Sequence, residues 1–281
     1  MVSVKELKSI DLSSYTIICT AVSVLLTALI SVAMAIGIMI LAPDAGGIGI
    51  LIIPTLVVGA FMAGIYRYFS EGLFYNFLAT RLRNIKIELD GGEIVKISPT
   101  ETATLVATIA LIQVVLAYLV SVLILPLFLS TMMQTLIMVN QALAYSIYQI
   151  LMLITQPMTI VMIILGTFVI TFVFVLIGAY IYNLLASKGR GIVLELSEEN
   201  GLTAIDSIDM MRFAIVIAII SVVATLITGI IGLISGGNAV NLIINIISSL
   251  ISGFVVAALM AIFYNFLAPK LGKLKIELID S

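Results

Sequence analysis

The sequence predicts an α-helical polytopic membrane protein: six spanning helices in three pseudo-repeats, with short cytoplasmic β-hairpins. Three observations predict it. Hydrophobic residues make up 62% of the 281 and charged residues only 10%, against about 25% charged in soluble domains. No charge occurs between Glu101 and Lys188 or between Arg212 and Lys270; each gap has room for two crossings of a hydrocarbon core that needs about 20 apolar residues per helix. Finally, two short segments recur three times at one spacing. Tyr75-Asn76-Phe77-Leu78-Ala79 precedes Ile85-Lys86-Ile87-Glu88-Leu89, Tyr182-Asn183-Leu184-Leu185-Ala186 precedes Ile192-Val193-Leu194-Glu195-Leu196, and Tyr264-Asn265-Phe266-Leu267-Ala268 precedes Leu274-Lys275-Ile276-Glu277-Leu278. Self-similarity at fixed spacing marks a repeated supersecondary unit, so the chain divides into modules at 1–90, 91–199 and 200–281.

Val2 to Leu12 is a short polar segment with Lys5, Glu6 and Lys8, and the apolar run Tyr15 to Ala42 after it exceeds the apolar core of a cleaved leader, about 7–15 residues. Pro43-Asp44-Ala45-Gly46-Gly47 has turn chemistry, and a second helix follows over 48–79. Alternating residues on both sides of Asp90-Gly91-Gly92 predict a hairpin, glycine supplying the positive φ of the turn. Ser98-Pro99-Thr100-Glu101 has a capping serine, proline at the first helical position and glutamate at the third. The third helix is expected to stop at Pro126.

The stretch 127–156 has no counterpart elsewhere: Tyr75 and Tyr182 are 107 residues apart, Tyr182 and Tyr264 only 82. Ser130, Gln134, Gln141, Tyr145 and Gln149 fall near one helical face, which reads as an uncharged amphipathic helix at the far membrane interface. A re-entrant or spanning element is the alternative. The fourth helix covers 157–186, and a second hairpin turns at Asn200-Gly201. Ser207 or Asp209 caps the fifth helix, which reaches about Ser235. After Gly236-Gly237-Asn238 the sixth helix covers 239–268, and a last strand ends at Leu278. Val2-Ser3-Val4 is expected to pair with Leu274 to Leu278, joining the strands into one layer without edges.

All thirteen Lys and Arg residues fall on one side of the six spans, and the opposite side carries only Asp44. Basic flanks stay inside, so both termini and both hairpins are expected in the cytoplasm of a multi-pass cell-membrane protein.

The tail of Tyr-Asn, two apolar residues, Ala, a short Lys/Gly-containing spacer and Ile-x-apolar-Glu resembles that of small, uncharacterised prokaryotic membrane proteins with two helices. The resemblance covers about ten residues per module, and three tandem modules depart from the usual single copy. It implies that single-copy relatives self-associate as trimers.

Three groups of residues are candidates for a role. Asn76, Asn183 and Asn265 stand near helix ends whose carbonyls and following chain need hydrogen bonds, and Tyr75, Tyr182 and Tyr264 suit the interfacial aromatic belt. The sharper alternative places the three Asn around one axis as a polar constriction. Glu88, Glu195 and Glu277 share the polar face of strands whose other face is aliphatic; they keep that face wet or form a cation-binding carboxylate ring. Arg67 and Glu71, spaced i, i+4 in the first module only, break the symmetry at membrane depth.

Catalysis is not expected. Histidine is absent, the spans lack interior Asp and Lys, and no phosphate-cradling glycine loop precedes a helix. The single cysteine, Cys19, forms no intrachain disulfide or thiolate cluster. Neither a cofactor nor a metal is implied. A net charge of -2 and a pI near 5.1 argue against nucleic acid. The expected partners are membrane lipids and either other proteins or further copies of the chain. The function expected is a scaffold or accessory subunit of a membrane assembly, with an uncoupled channel for ions or small solutes along a pseudo-threefold axis as the alternative.

Overall fold

The computed structural model describes residues 2–43, 46–154 and 156–280. Asp44 lies outside the described residues, as do the side chains of Ser130 and Gln134. The elements run β1 (Ser3–Ile10), α1 (Leu12–Leu41), α2 (Gly46–Ala79), β2 (Ile85–Asp90), β3 (Glu93–Ile97), α3 (Pro99–Val139), α4 (Gln141–Ile154), α5 (Pro157–Leu185), β4 (Leu194–Glu199), β5 (Leu202–Ile208), α6 (Met210–Ile234), α7 (Ala239–Leu271) and β6 (Leu274–Asp280). The chain leaves α5 through Ala186–Arg190, where Lys188 and Gly189 (φ +71°) depart from helical geometry.

Among the described residues six helices are long and apolar enough to cross a membrane: α1, α2, the first part of α3 to Ser121, α5, α6 and α7. Their outward faces are Ile, Leu, Val, Met and Phe, which lipid tails solvate without penalty. Asp11 caps α1 by accepting from the Ser14 N–H (2.8 Å), and Asp209 caps α6 by accepting from the Arg212 N–H (2.8 Å). The Ser98 hydroxyl accepts instead from the Lys86 N–H (3.0 Å), tying the start of α3 to β2.

Pro126 does not end the third helix, which continues to Val139. Proline removes one intrahelical bond, and the Leu, Met and Gln residues that follow it are strong helix formers that carry the helix on. The insertion therefore contributes the end of α3 and a separate α4 of 14 residues, too few to span. In α4, Gln141, Tyr145 and Gln149 are exposed along one face, and the Gln149 Nε2 donates to the Tyr145 hydroxyl (2.7 Å).

The strands form one sheet in the order β3-β2-β1-β6-β5-β4, every neighbouring pair antiparallel. Its two end strands also meet. Glu93 bridges Val193, the Ile94 N–H donates to the Ile192 carbonyl (2.9 Å), and the Leu194 N–H donates to the Gly92 carbonyl (2.9 Å). The sheet is thus a closed ring. β1 uses the whole polar lead-in, pairing with β6 from Lys5↔Asp280 to Ile10↔Ile276. Ser3 and Val4 pair with Leu89 and Glu88 of β2 rather than with β6, a correction to the expected pairing.

Register sorts the side chains. Leu7 stands opposite both Ile85 and Leu278, Ile87 opposite Ile97, Leu196 opposite Ile205, and Ile205 opposite Leu274, so most of one face is aliphatic; Lys5, opposite Ile87 and Asp280, and Thr203, opposite Ile276, interrupt it. Parts of it continue into the helices. Ile205, Leu194, Leu196 and Leu274 pack with Ile18, Val22 and Tyr264, and Ile94, Ile97 and Ile192 pack with Tyr182 and Val216. The other face carries ion pairs such as Lys86–Glu6 and Lys96–Glu88, each at 3.0 Å.

By its contacts the chain divides into two compact units, Met1–Thr102 with Ile177–Ser281, and Ala103–Leu176. The first holds the ring and the α1–α2 and α6–α7 pairs. The second is helical: Thr108 and Ser121 return their hydroxyls to the carbonyls four residues earlier (both 2.7 Å), and Phe168 stacks on Phe172.

Candidate functional site

The signature residues build one contact in three places. The Asn76 amide donates to the Ile10 carbonyl and accepts from the Ile10 N–H, both at 2.8 Å. Asn183 makes the same pair with Ile97 (2.9 and 2.9 Å) and Asn265 with Ile208 (2.8 and 2.9 Å). From the residue just before each Asn, the Tyr75, Tyr182 and Tyr264 hydroxyls donate to the carbonyls of Leu7, Ile94 and Ile205, three residues back along the strand, each at 2.6 Å. Tyr182 and Tyr264 also accept from the N–H of Ile192 and Leu274 (3.2 Å). A planar amide offers a donor and an acceptor side by side, which matches the N–H and C=O of one residue at a strand end. Each latch therefore fixes the last strand residue before a helix, Ile10, Ile97 or Ile208, to the end of that helix's partner.

The strand carboxylates do not converge. Glu88 pairs with Lys96 (3.0 Å), Glu195 accepts from the Ser207 hydroxyl (2.7 Å), and Glu277 takes Lys8 (2.7 Å) and the Ser9 hydroxyl (2.8 Å). Each side chain bonds across to an adjacent strand, at equivalent places around the outside of the ring. The Lys8 ammonium, with Ser9, holds the Glu277 carboxyl below its usual range. Among the described residues no group of three or more His, Cys, Asp or Glu side chains could hold a metal ion.

Arg67 and Glu71 do pair, Nε to Oε1 at 2.8 Å. The other Glu71 oxygen accepts from the Tyr15 hydroxyl (3.0 Å), Tyr15 meets Tyr68 edge-on at 5.7 Å, and the guanidinium lies 5.5 Å from the Tyr68 ring centre. Tyr15 and Tyr68 are thus members of the cluster that reasoning from local spacing missed. A tyrosine facing an acidic residue across the α1–α2 pair was the one available signal.

Two further groups were also missed. Glu93 sits at the β3–β4 seam, where one oxygen accepts from the Gly191 N–H (2.9 Å) and the other meets Arg212 (3.0 Å). Lys273 bridges Asp206 (2.6 Å) and Glu199 (2.8 Å), and Lys275 adds a contact to Glu199 (3.0 Å). Lys273 lowers the Asp206 carboxyl, aided by Ser197, and with Lys275 lowers that of Glu199; its own ammonium is raised in return.

No protein-family model matches the chain, and no curated protein or solved structure matches it either. The chemistry of the site is that of its own residues. Every signature amide and hydroxyl is engaged with strand backbone, which makes the site a joint between membrane helices and a ring of strands.

Proposed function

We propose that the chain is a non-catalytic, non-conducting membrane scaffold or accessory subunit. In this reading modules 1–90, 91–199 and 200–281 stand about a pseudo-threefold axis, like three fused copies of the two-helix proteins the signature resembles. The ring and both termini lie in the cytoplasm at the cell membrane. The carrying observation is the threefold latch. Polar groups that would have to line a pore or activate a substrate are instead consumed in holding strands to helices, and the aliphatic face of the ring supplies no wet path. Orientation rests on the basic residues of the ring and the helix ends beside it. Lipid and either partner proteins or further copies surround the apolar helices; nucleic acid has no basic surface to meet.

Proteoliposomes containing the purified protein should pass ions and small solutes no faster than empty vesicles. A flux that rises with the number of copies per vesicle overturns the reading. Orientation is tested separately in a Cys19→Ser background: an impermeant maleimide applied to intact cells should label Ser235→Cys and spare Lys96→Cys, and the reverse pattern rejects it.

A further inference from the structure

Each signature helix ends in an exposed stripe that turns from apolar to basic at the same step. Phe77 is followed one turn on by Arg81 at the end of α2, Leu184 by Lys188 at the end of α5, and Phe266 by Lys270 at the end of α7, all exposed. One turn earlier the stripe holds Leu73, Tyr180 and Ile262, exposed as well. Counted from Tyr75, Tyr182 and Tyr264 these positions are equivalent, and steps of four keep a stripe on one side of a helix.

Two of the cations lie over the apolar residue before them. The Arg81 guanidinium is 3.9 Å from the Phe77 ring centre and the Lys270 ammonium 3.3 Å from that of Phe266. A cation on an exposed aromatic ring at the end of an apolar stripe suits a hydrocarbon–water boundary, the ring in the acyl region and the charge among headgroups. The same change of chemistry at three joints, each beside its latch, marks the ring-side edge of the apolar zone.

Positive charge predominates at these joints. Inside the ring Lys8, Lys86, Lys96 and Lys273 are matched by carboxylates of neighbouring strands. The joints carry Arg81, Arg83, Lys188, Arg190 and Lys270, all exposed. Of the carboxylates at the helix starts, Asp11 and Asp209 are turned to the capping N–H groups of Ser14 and Arg212, and Glu101 stands in the first turn of α3. Apolar and then cationic surface along one stripe matches the acyl chain and the phosphate of a single molecule.

We propose that these joints bind anionic phospholipids of the leaflet beside the ring, the phosphate against Arg81 with Arg83, Lys188 with Arg190, or Lys270, and an acyl chain along the apolar stripe. The third place is the weakest. Gly272 stands there where the others have Arg83 and Arg190, and the next cation, Lys273, is held by Asp206 and Glu199. The inference needs the helices to cross a membrane and is independent of the scaffold reading and of which side the ring faces.

The chain contains no tryptophan, so Leu184→Trp gives a single reporter beside Lys188. It is reconstituted in phosphatidylcholine vesicles in which either brominated phosphatidylglycerol or brominated phosphatidylcholine is the minority lipid. Half-maximal quenching should need roughly fivefold less phosphatidylglycerol, the ratio that one cation's attraction to an anionic headgroup yields. Lys188→Gln with Arg190→Gln should bring the ratio to near one, whereas Lys96→Gln in the ring should leave it unchanged. A double variant that does not fold is replaced by Arg190→Gln alone, which should lower the ratio. Equal quenching by the two lipids overturns the proposal. So does a preference that survives these substitutions or that Lys96→Gln weakens equally, since net charge would then be its cause.

Discussion

Asn265 directs both atoms of its amide at one residue, Ile208, at the join of β5 and α6. Leucine is branched at the same carbon and would keep the helix, yet it would leave the Ile208 N–H and C=O without partners in a part-buried place. Asn265→Leu is expected to cost about 1–3 kcal/mol, read as a lower midpoint of thermal unfolding in detergent. Lys96→Gln, which removes the exposed pair with Glu88, should change stability by less than about 1 kcal/mol. Equal shifts for the two would show that the latch is not what holds strand to helix. The sequence singled out the three Asn by their fixed distance to the strand that follows, but each is tied to the strand before its helix pair, 66, 86 and 57 residues back, which no spacing announces. Tyr15 was hidden likewise, since it reaches Glu71 across 56 residues and no local spacing encodes that meeting.

At the scale of elements the least legible feature is the seam between β3 and β4. It depends on two glycines. A Cβ on Gly92 would overlap the Leu194 carbonyl oxygen and one on Gly191 that of Ile94, and Gly92 also has a φ of +89°. Turn chemistry explains Gly92 from the sequence, but nothing local shows that Gly191 must let a second strand pass. Gly191→Val should open the seam, raising amide exchange in β3 and β4 while β1 and β6 stay protected; uniform protection would contradict a closed ring. Pro126 misled for the opposite reason, a strong local signal overruled by the helix-forming residues that follow it.

The ion pairs on the ring respond to acid. Asp206 and Glu199 have carboxyls depressed by Lys273, so their stabilising share is present above the ordinary carboxylate range and lost as the pH falls through it. The Lys273 ammonium is raised, so its share persists through neutral pH and fades only above the ordinary range for lysine. Exchange protection of β5 and β6, corrected for the intrinsic rate, should therefore be flat near neutrality and fall toward pH ~3. Lys273→Met should remove most of that pH dependence, and a variant that keeps it places the effect elsewhere.

Across the whole molecule, class and helix number could be read from composition and charge gaps alone, because a bilayer tolerates few other solutions. Ring closure was only half legible: the signature strands announce themselves, whereas β1 looks like an ordinary polar lead-in with its Lys5, Glu6 and Lys8. Removing residues after Leu271 deletes β6 and leaves β1 and β5 as open edges, so the truncated protein should unfold at lower temperature and self-associate through those edges. Full stability with a monomeric mass would show that the ring contributes little.

That β1 and β6 are neighbours also sets an order of events during synthesis. β1 is made before the six spans and β6 after them, so although β1 can pair with β2 once the first two spans are made, its other edge waits for β6 until the remaining four have followed. Completion of the ring then reports that all six of these spans have been made. A translation-arrest peptide that senses pulling force, fused through a linker after Ser281, should register a late pulse as β6 docks. Val4→Pro and Leu7→Pro in β1 should erase that pulse, although the mutated strand was translated long before it.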